Sequence, residues 1–365
     1  MTIERFFSQL YDKAVYYLKA TRLADLILLW IRTRSVQKVS LSTLKKFGAD
    51  AYPKEEQVRL LEDIKYCAKK WRFSIIEYFK FNLKDKTEEE RASFISEVNR
   101  IHYANLFNKP RNLYLFSDKF ATSKKFAKYF KRECIFASSR SDLRKVEQFL
   151  LKRRVCVVKP IASSTGIGVR VLEIENDADA QNVARLIIDE YCKKPFYGAI
   201  LEEKIIQDET MNKLHPQSVN TIRITTIRLN DRTVIFHPNL RIGVGSSQID
   251  NAAQGGILAG LDAETGVVIA AQNKQGEKFV THPDTGAQIL GFQVPHWEEA
   301  KAFVKELATV IPSNRYTGWD VALTKDGWSL VEANARGQMG AQMFFHTGFK
   351  KEVLGYLREL GIRCS

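Results

Sequence analysis

The chain has 365 residues, 45% of them hydrophobic and 27% charged, a balance typical of folded proteins and enough for two or three structural units. The net charge of +14 would attract any polyanion and does not distinguish nucleotide, nucleic acid or anionic lipid. The five cysteines and six histidines form no CxxC, HExxH or similar cluster. This pattern favours free thiols in a cytoplasmic protein and argues against a zinc site.

Residues 1 to about 110 are predicted to be helical. The apolar run at 23–31 contains Asp25 and is too short to span a bilayer, so we expect a buried helix and no transmembrane segment. Basic residues flank the run and leave peripheral membrane contact open as an alternative. The charged faces of this region carry no nucleic-acid motif, so solvated helices are favoured over a specific nucleic-acid site.

Two helices in this region have clear signals. The apolar spacing in 54–70 predicts a helix with one buried stripe, formed by Val58, Leu61, Ile64, Cys67 and Ala68. Thr87, followed by three glutamates, predicts a helix N-terminus with acidic residues in the first turn. We expect that helix to continue through Val98.

From about residue 111 the pattern changes to strands with interspersed helices. A short apolar run at 113–116 precedes a basic helix that extends to 131. Alternating or β-branched runs then predict strands at 155–159, 169–174, 199–202, 219–229, 233–244, 255–261, 267–271, 318–324 and 328–333. Helical periodicity predicts helices at 177–192, 297–310 and 350–360. The fold class expected from this order is α+β.

A loop of small residues follows Lys159, where one predicted strand ends. Residues 160–168 read PIASSTGIG, and such a loop can fold over phosphates because nothing bulky blocks its backbone N–H groups. Lys159 would add a positive charge there. The P-loop pattern GxxxxGK[ST] is absent, and an ordinary flexible hairpin is the alternative interpretation.

Three polar residues lie on a predicted hairpin near the C-terminus: Asp320, Glu332 and Asn334. Glu332 and Asn334 are two residues apart on one strand and therefore point to the same face. Two carboxylates and an amide oxygen form a donor set that suits Mg²⁺. The alternative is a set of exposed polar positions, which the apolar neighbours of Glu332 make less favourable.

Together, these two features resemble the ATP-grasp superfamily over roughly residues 112–345. Three stretches look like its sugar-transfer-associated branch: 215–223 (HPQSVNTIR), 250–257 (DNAAQGGI) and 318–320 (GWD). The resemblance implies two α+β lobes that clamp ATP. It divides the chain into a helical region at 1–110, an N-lobe with a phosphate lid and a subdomain of small strands at 111–204, and a C-lobe with the metal site and a C-terminal helix at 205–365.

The resemblance also implies ATP and two Mg²⁺ ions as cofactors. Asp320, Glu332 and Asn334 would hold the ions, with Glu332 bridging them. Glu203 would be the preferred acid at the adenine, in the hinge between the lobes. The implied nucleotide-binding positions are Lys119, Lys159, Ser163, Ser164, Thr165, Gly166, Gly168, Glu202, Glu203, Ile205 and Glu209.

The implied reaction is ATP-dependent ligation of a carboxylate to an amine through an acyl phosphate. Some ATP-grasp ligases carry an arginine two residues before the metal-binding aspartate, where this chain has Gly318. The remaining candidates for stabilising the tetrahedral intermediate are Arg241, Arg223 and Arg336. The first two are favoured because each lies in a strand that approaches the site.

The acceptor pocket is expected to involve the glycine-containing loop at 250–256, although a plain turn is nearly as good an interpretation. The predicted substrate-binding residues are Asn220, Asp250, Asn251, Gln254, Gly255 and Gly256. Gln338 and Gln342 are further candidates that follow the metal strand.

The favoured substrates are a small-molecule carboxylate and an amine. The name of the family branch suggests a sugar acid of a surface polysaccharide. Two alternatives stay open: a ligase that adds amino acids to a peptide or protein, and a non-catalytic basic protein that binds nucleic acid or membrane. The sequence leaves the oligomeric state undetermined.

Overall fold

The computed structural model describes residues 30–31, 33–45, 47, 51–161, 168–193, 196–247 and 255–363. The predicted helix at 23–31 lies almost wholly outside the described residues, and so do loop positions 162–167 and 248–254. No helix in the described part of the chain is long and apolar enough to cross a membrane.

The N-terminal region is helical, as predicted. It contains α1 (Leu41–Lys45), α2 (Lys54–Trp71), α3 (Ile75–Lys80), α4 (Glu88–Ser93) and α5 (Glu97–Phe107). The stripe predicted on α2 is wrong at one end, because Val58 is 47% exposed while Leu60 is buried. The buried face begins at Leu60 and includes Ile64, Cys67, Ala68 and Trp71, so α2 is rotated relative to the predicted stripe.

The N-cap predicted at Thr87 is confirmed, since Thr87 and Glu90 form a capping box at the start of α4. The predicted continuation of that helix through Val98 is wrong. The backbone becomes extended at Phe94, whose ring is buried. Ser96 then caps α5 by accepting a hydrogen bond from Asn99 N. A second cap and a buried aromatic ring therefore divide one apparent helix into two.

Helices also occupy the start of the predicted N-lobe: α6 (Pro110–Ser117), α7 (Lys119–Lys125) and α8 (Ala127–Phe130). Pro110 opens α6, a position that proline favours, and Asp118 Oδ1 accepts hydrogen bonds from the first backbone N–H groups of α7. The apolar side chains of these helices pack in the core of the second sheet. Packing therefore divides the predicted unit at 111–204 between two cores.

The first sheet has four antiparallel strands in the order β1-β4-β2-β3. Its strands are β1 (Cys134–Ala137), β2 (Val155–Pro160), β3 (Arg170–Glu173) and β4 (Ala199–Glu203). Helices α9 (Leu143–Arg153) and α10 (Asp177–Tyr191) cover one face and form its core. The opposite face of this sheet points toward the second sheet.

The second sheet has six antiparallel strands in the order β10-β9-β5-β6-β7-β8. Its strands are β5 (Ile222–Arg228), β6 (Thr233–Ile242), β7 (Ile257–Leu261), β8 (Val268–Gln272), β9 (Tyr316–Thr324) and β10 (Gly327–Asn334). The short helix α11 (Glu209–Asn212) precedes β5, α12 (Trp297–Thr309) packs on one face with α6–α8, and α13 (Gln342–Phe345) and α14 (Lys350–Glu359) follow β10. The N-terminal helices cover part of the other face.

Candidate active site

A cavity of about 860 Å³ lies between the two sheets. Val157 and Val171 line it from the first sheet, and Val331 lines it from the second. Lys159 and Glu202 also face the cavity. Its size and its mixture of apolar and charged groups suit a small-molecule ligand.

The first wall of the cavity contains a buried carboxylate held by two cations. Glu202 Oε2 accepts hydrogen bonds from Lys159 Nζ at 2.8 Å and from Arg132 Nη2 at 2.9 Å. Burial alone would raise the pKa of Glu202, but the positive charges of Arg132 and Lys159 outweigh it and lower the pKa to about 2. Glu202 is therefore ionised at neutral pH and fixes the position of the Lys159 ammonium.

Lys119 is the first residue of α7, and charged groups of both sheets act on its ammonium. Burial lowers the pKa of its ammonium. The negative charges of Glu332 on the second sheet and Glu202 on the first counteract this, and the positive charge of Lys159 adds to it. The predicted nucleotide lysines are therefore brought together, and a predicted metal ligand lies near them.

The second sheet, which forms the second wall through Val331, also contains a buried carboxylate held by two cations, although Asp320 and its two arginines are not among the described residues that line the cavity. Arg223 binds both oxygens of Asp320, from Nε to Oδ1 and from Nη2 to Oδ2 at 2.6 Å. Arg241 Nη1 donates to Asp320 Oδ2 at 3.2 Å. Burial would raise the pKa of Asp320, but the two arginines lower it. The two favoured arginine candidates thus meet at the first predicted metal ligand.

A β-bulge between Leu330 and Glu332 decides which residue faces Asp320. Before the bulge, Leu330 lies opposite Val321. After it, Glu332 lies opposite Asp320. Without the extra residue, Val331 would lie opposite Asp320 and Glu332 would point to the other face of the sheet. The bulge therefore places the two carboxylates side by side.

The third member of the predicted metal set, Asn334, lies opposite Gly318. Its Nδ2 is buried and has no hydrogen-bond partner among the described residues, so the amide can turn its oxygen toward an ion. The described residues contain no group of three or more His, Cys, Asp or Glu side chains that could hold a metal. Two carboxylates and an amide nevertheless fit Mg²⁺, which keeps several water or phosphate ligands.

Gly318 makes room for Arg223. A Cβ added at Gly318 would lie 3.1 Å from Arg223 Cδ and 3.1 Å from Gly337 Cα. The side chain of Arg223 therefore crosses from β5 over Gly318 to reach Asp320. The absence of a side chain at Gly318 thus leaves space for the guanidinium of Arg223 beside Asp320.

The predicted adenine and ribose residues lie at or near the linker between the sheets. Glu203 Oε1 accepts a hydrogen bond from Arg153 Nη1 at 3.0 Å, and Glu203 and Ile205 line the cavity. Glu209 is exposed at the start of α11 and is absent from the part of the cavity lining that the structure describes. The first two residues are thus positioned beside the cavity.

Three other predicted residues have structural partners. Arg336 Nε donates to Asn105 Oδ1 at 2.7 Å, which directs it toward the N-terminal helices. Asn220 Nδ2 donates to the carbonyls of Met211 and His215, so its amide holds the segment before β5. Gln342 bonds the backbone of Ile95 in the N-terminal region through both ends of its amide, so its side chain is engaged with that region.

The remaining predicted residues are in the two glycine-containing loops. Ser163, Ser164, Thr165, Gly166, Asp250, Asn251 and Gln254 lie outside the described residues. Gly168 has a φ of +74°, and a Cβ there would lie 2.7 Å from Pro160 Cγ, so a larger residue would not fit. Gly255 is exposed and Gly256 is buried at the start of β7.

Arg132 is a site residue that the sequence did not indicate. Besides Glu202, it binds the carbonyl oxygens of Leu330 at 2.6 Å and Val331 at 3.5 Å. It therefore joins the first sheet to the bulge that positions Glu332. It lies in a basic stretch with no distinguishing motif, and only the pairing of the two sheets reveals its role.

The comparison with protein families now identifies the class of the protein. The family model described as sugar-transfer associated ATP-grasp matches residues 98–355, which is more than half of the chain. The predicted α+β ATP-grasp fold and the prediction of an ATP-grasp enzyme are confirmed. The chain belongs to the sugar-transfer associated ATP-grasp family.

No curated protein matches the chain, and solved structures show remote similarity. D-alanyl-alanine synthetase A from Vibrio cholerae is 11% identical, with a TM-score of 0.45, over 69% of this chain and 67% of that chain. An ADP complex of N5-carboxyaminoimidazole synthetase from Staphylococcus aureus is 12% identical, with a TM-score of 0.40, over 69% of this chain and 52% of that chain. The biotin carboxylase domain of Hydrogenobacter thermophilus 2-oxoglutarate carboxylase is 13% identical, with a TM-score of 0.45, over 71% of this chain and 48% of that chain. This chain spans about half the length of the last two, and similarity at this level supports no statement about function.

Proposed function

We propose that the protein is an ATP-dependent carboxylate–amine ligase that uses Mg²⁺. The observation that carries this proposal is the pairing of Glu332 with Asp320 across two strands, beside the buried amide of Asn334 that has no hydrogen-bond partner among the described residues. A nucleotide whose phosphates lie between the walls would bring its negative charge to Lys119 and Lys159. Metal ions held by Asp320, Glu332 and Asn334 would neutralise further charge on the transferring phosphoryl group.

In the proposed reaction, a carboxylate oxygen attacks the γ-phosphorus of ATP, which gives an acyl phosphate and ADP. An amine then attacks the acyl carbon and loses a proton, the carbon–oxygen bond to phosphate breaks, and an amide forms. Negative charge develops on oxygen in both steps. Arg223 and Arg241 are fixed before the reaction by Asp320, so they can stabilise this charge without reorganisation.

The remaining sites are part of the same proposal. Glu203 and Ile205 would contact the adenine, Glu209 the ribose, and the loop at 163–168 would cover the phosphates. The loop at 250–256 would form the acceptor pocket. The family description, sugar-transfer associated, favours an amino acid or amine joined to a sugar acid during surface-polysaccharide synthesis in the cytoplasm.

The replacement Glu332→Ala tests this function. We expect Mg²⁺-ATP to raise the melting temperature of the wild type, because a ligand that binds only the folded state stabilises it. In the variant, ADP release in the presence of amine and carboxylate substrates should fall by about a hundredfold or more, since charge stabilisation at the phosphoryl group is lost. The measurements are thermal unfolding and a coupled ADP assay over amino acids with uronic-acid and peptide acceptors.

Glu264→Ala is the matched control, because Glu264 lies on the exposed turn between β7 and β8. It should behave as the wild type in both assays. A wild type that Mg²⁺-ATP does not stabilise would rule out the enzyme proposed here. If ADP is released with peptide acceptors and not with uronic acids, the acceptor is a peptide and the proposed sugar acid is wrong.

A further inference from the structure

The N-terminal helices contact the chain directly after the metal-binding strand. Arg100, on α5, donates from Nη1 to the carbonyl oxygens of Arg336 and Gly337, the latter at 3.1 Å. Arg336 in turn donates to Asn105 on the same helix. The segment that follows Asn334 is therefore fixed against the helical region and cannot move independently of it.

Lys80, the last residue of α3, lies over this segment. A Cβ added at Gly340 would be only 2.8 Å from Lys80 Nζ. Gly340 does not have the positive φ that would demand glycine, so its lack of a side chain serves the close approach of the lysine. The helical region thus places the Lys80 ammonium beside Gly340, which is six residues beyond Asn334.

The acids near Lys80 are committed to other partners. Glu77 accepts hydrogen bonds from the backbone N–H groups of Ser74 and Glu97. The carboxylate of Glu97 is held by both Nε and Nη2 of Arg100. Within the residues that the structure describes, Lys80 makes no hydrogen bond or ion pair to any acceptor, although its ammonium faces the Phe81 ring at 5.8 Å.

A second lysine lies near this ammonium. Lys274 is on the turn after β8, which Asn273 closes by accepting hydrogen bonds from Gln275 N and Glu277 N. Lys80 is an exposed residue, yet neighbouring atoms crowd its ammonium. Desolvation lowers the pKa of Lys80, Glu77 and Glu97 raise it, and the charge of Lys274 lowers it further. The charge of Lys274 therefore acts on the Lys80 ammonium.

The chain segment beside Lys80 leads back to the proposed metal site. Gly337, which Arg100 binds, packs against Gly318, and Gly318 is crossed by Arg223 on its way to Asp320. Gly340, which Lys80 approaches, is three residues beyond Gly337, so Lys80 lies beside the segment that packs against the strand of the proposed metal site.

We propose that Lys80 binds an oxyanion of the acceptor substrate: a carboxylate or phosphate group other than the carboxylate that is activated. The inference rests on the proposed ligase function for the identity of the substrate. An ammonium is a compact, strongly hydrated point charge that suits such groups. An amino acid has this chemistry, because it offers an amine to the reaction and keeps its own carboxylate.

The experiment measures ligand binding to the full chain loaded with Mg²⁺ and a non-hydrolysable ATP analogue. The probes are L-alanine, L-glutamate and inorganic phosphate, with alaninamide as the probe that lacks the carboxylate. We expect Lys80→Met to weaken binding of the anionic probes by about tenfold, the effect of one lost charge-assisted hydrogen bond. Binding of alaninamide and of the ATP analogue should stay unchanged.

Two further variants separate charge from structure. Gly340→Ala keeps the lysine but displaces its flexible end, and it should weaken the same probes. Lys65→Met removes an exposed lysine of α2 and should change nothing. The probe that depends on Lys80, an amino acid or phosphate, identifies the group that is bound.

If Lys80→Met and the wild type bind the anionic probes equally well, the proposed oxyanion subsite is overturned. A wild type that binds the ATP analogue but none of the anionic probes would also overturn it, and this result would leave the ligase proposal intact. Conversely, Lys80-dependent anion binding in a protein that binds no nucleotide would keep the subsite and remove the ligase function.

Discussion

The two walls of the cavity use the same device in different ways. Each has a buried carboxylate held by one deeply buried arginine and one more accessible cation. On the first wall, the side chains of Arg132 and Lys159 are 4% and 18% exposed. On the second wall, those of Arg223 and Arg241 are 8% and 22% exposed. The buried arginine fixes the carboxylate, and the accessible cation is the one that a ligand can reach.

The walls differ in what the buried arginine joins. Arg223 and Asp320 are on adjacent strands of one sheet, directly opposite each other, so strand register alone brings them together. Arg132 instead connects Glu202 of the first sheet to the carbonyls of the bulge in the second sheet. The second wall is therefore a local site, whereas the first wall also fastens the two lobes to each other.

The strongest test of this difference removes the link between the lobes. Arg132→Met should lower the free energy of unfolding by about 3–5 kcal/mol, because it leaves Glu202 buried with Lys159 as its remaining cation partner. Urea unfolding monitored by tryptophan fluorescence measures the change. The double variant Arg132→Met/Glu202→Met should be less destabilised than the single variant, because the buried carboxylate is gone and the remaining charge, Lys159, is the more accessible cation of the pair. Equal destabilisation of the two would contradict the role given to the ion pair.

A pH titration tests the first carboxylate separately. The folded state lowers the pKa of Glu202 from its ordinary value of 4.5 to about 2, a shift equivalent to about 3 kcal/mol. Because the pKa is lowered, this stability is present above pH 4.5 and is lost as the pH falls toward 2. The difference in unfolding free energy between the wild type and Glu202→Gln should shrink over that interval. Parallel curves for the two proteins would show that Glu202 is not the titrating group.

The smallest expected effect concerns the second wall. Gly318→Ala should cost about 1–3 kcal/mol, since its Cβ would press on Arg223 and on the backbone of Gly337. It should also lower ligase turnover by displacing Arg223 from Asp320. The matched control is Gly355→Ala in α14, where a Cβ has nothing within 4 Å, and which should stabilise the protein by about 0.5–1 kcal/mol. Gly318→Ala with unchanged stability and turnover would mean that Arg223 does not need the space.

Local signals in the sequence predicted much of the fold. Capping residues such as Thr87 act within one turn, and period-two alternation identified most of the strands because both depend on near neighbours. The helix predicted to continue through 94–98 was wrong, and the apolar run at 113–116 did not by itself predict an element. The helix ends at Phe94, whose ring is buried. The apolar run that contains Leu113 and Phe116 is helical, and these two side chains pack against the second sheet. Packing partners far away in the chain decided both cases.

The sequence by itself determined which residues could do the chemistry: two lysines, an aspartate and a Glu-x-Asn pair of the types that bind phosphate and Mg²⁺. It also determined the family, because those residues keep a recognisable order along the chain. Only the tertiary structure decided that Glu332 lies opposite Asp320, since one extra residue at the bulge reverses the face of the sheet to which Glu332 points. The partnership of Arg132 with Glu202 and the approach of Lys80 to Gly340 likewise depend on how separate elements pack, and sequence spacing carries no information about either.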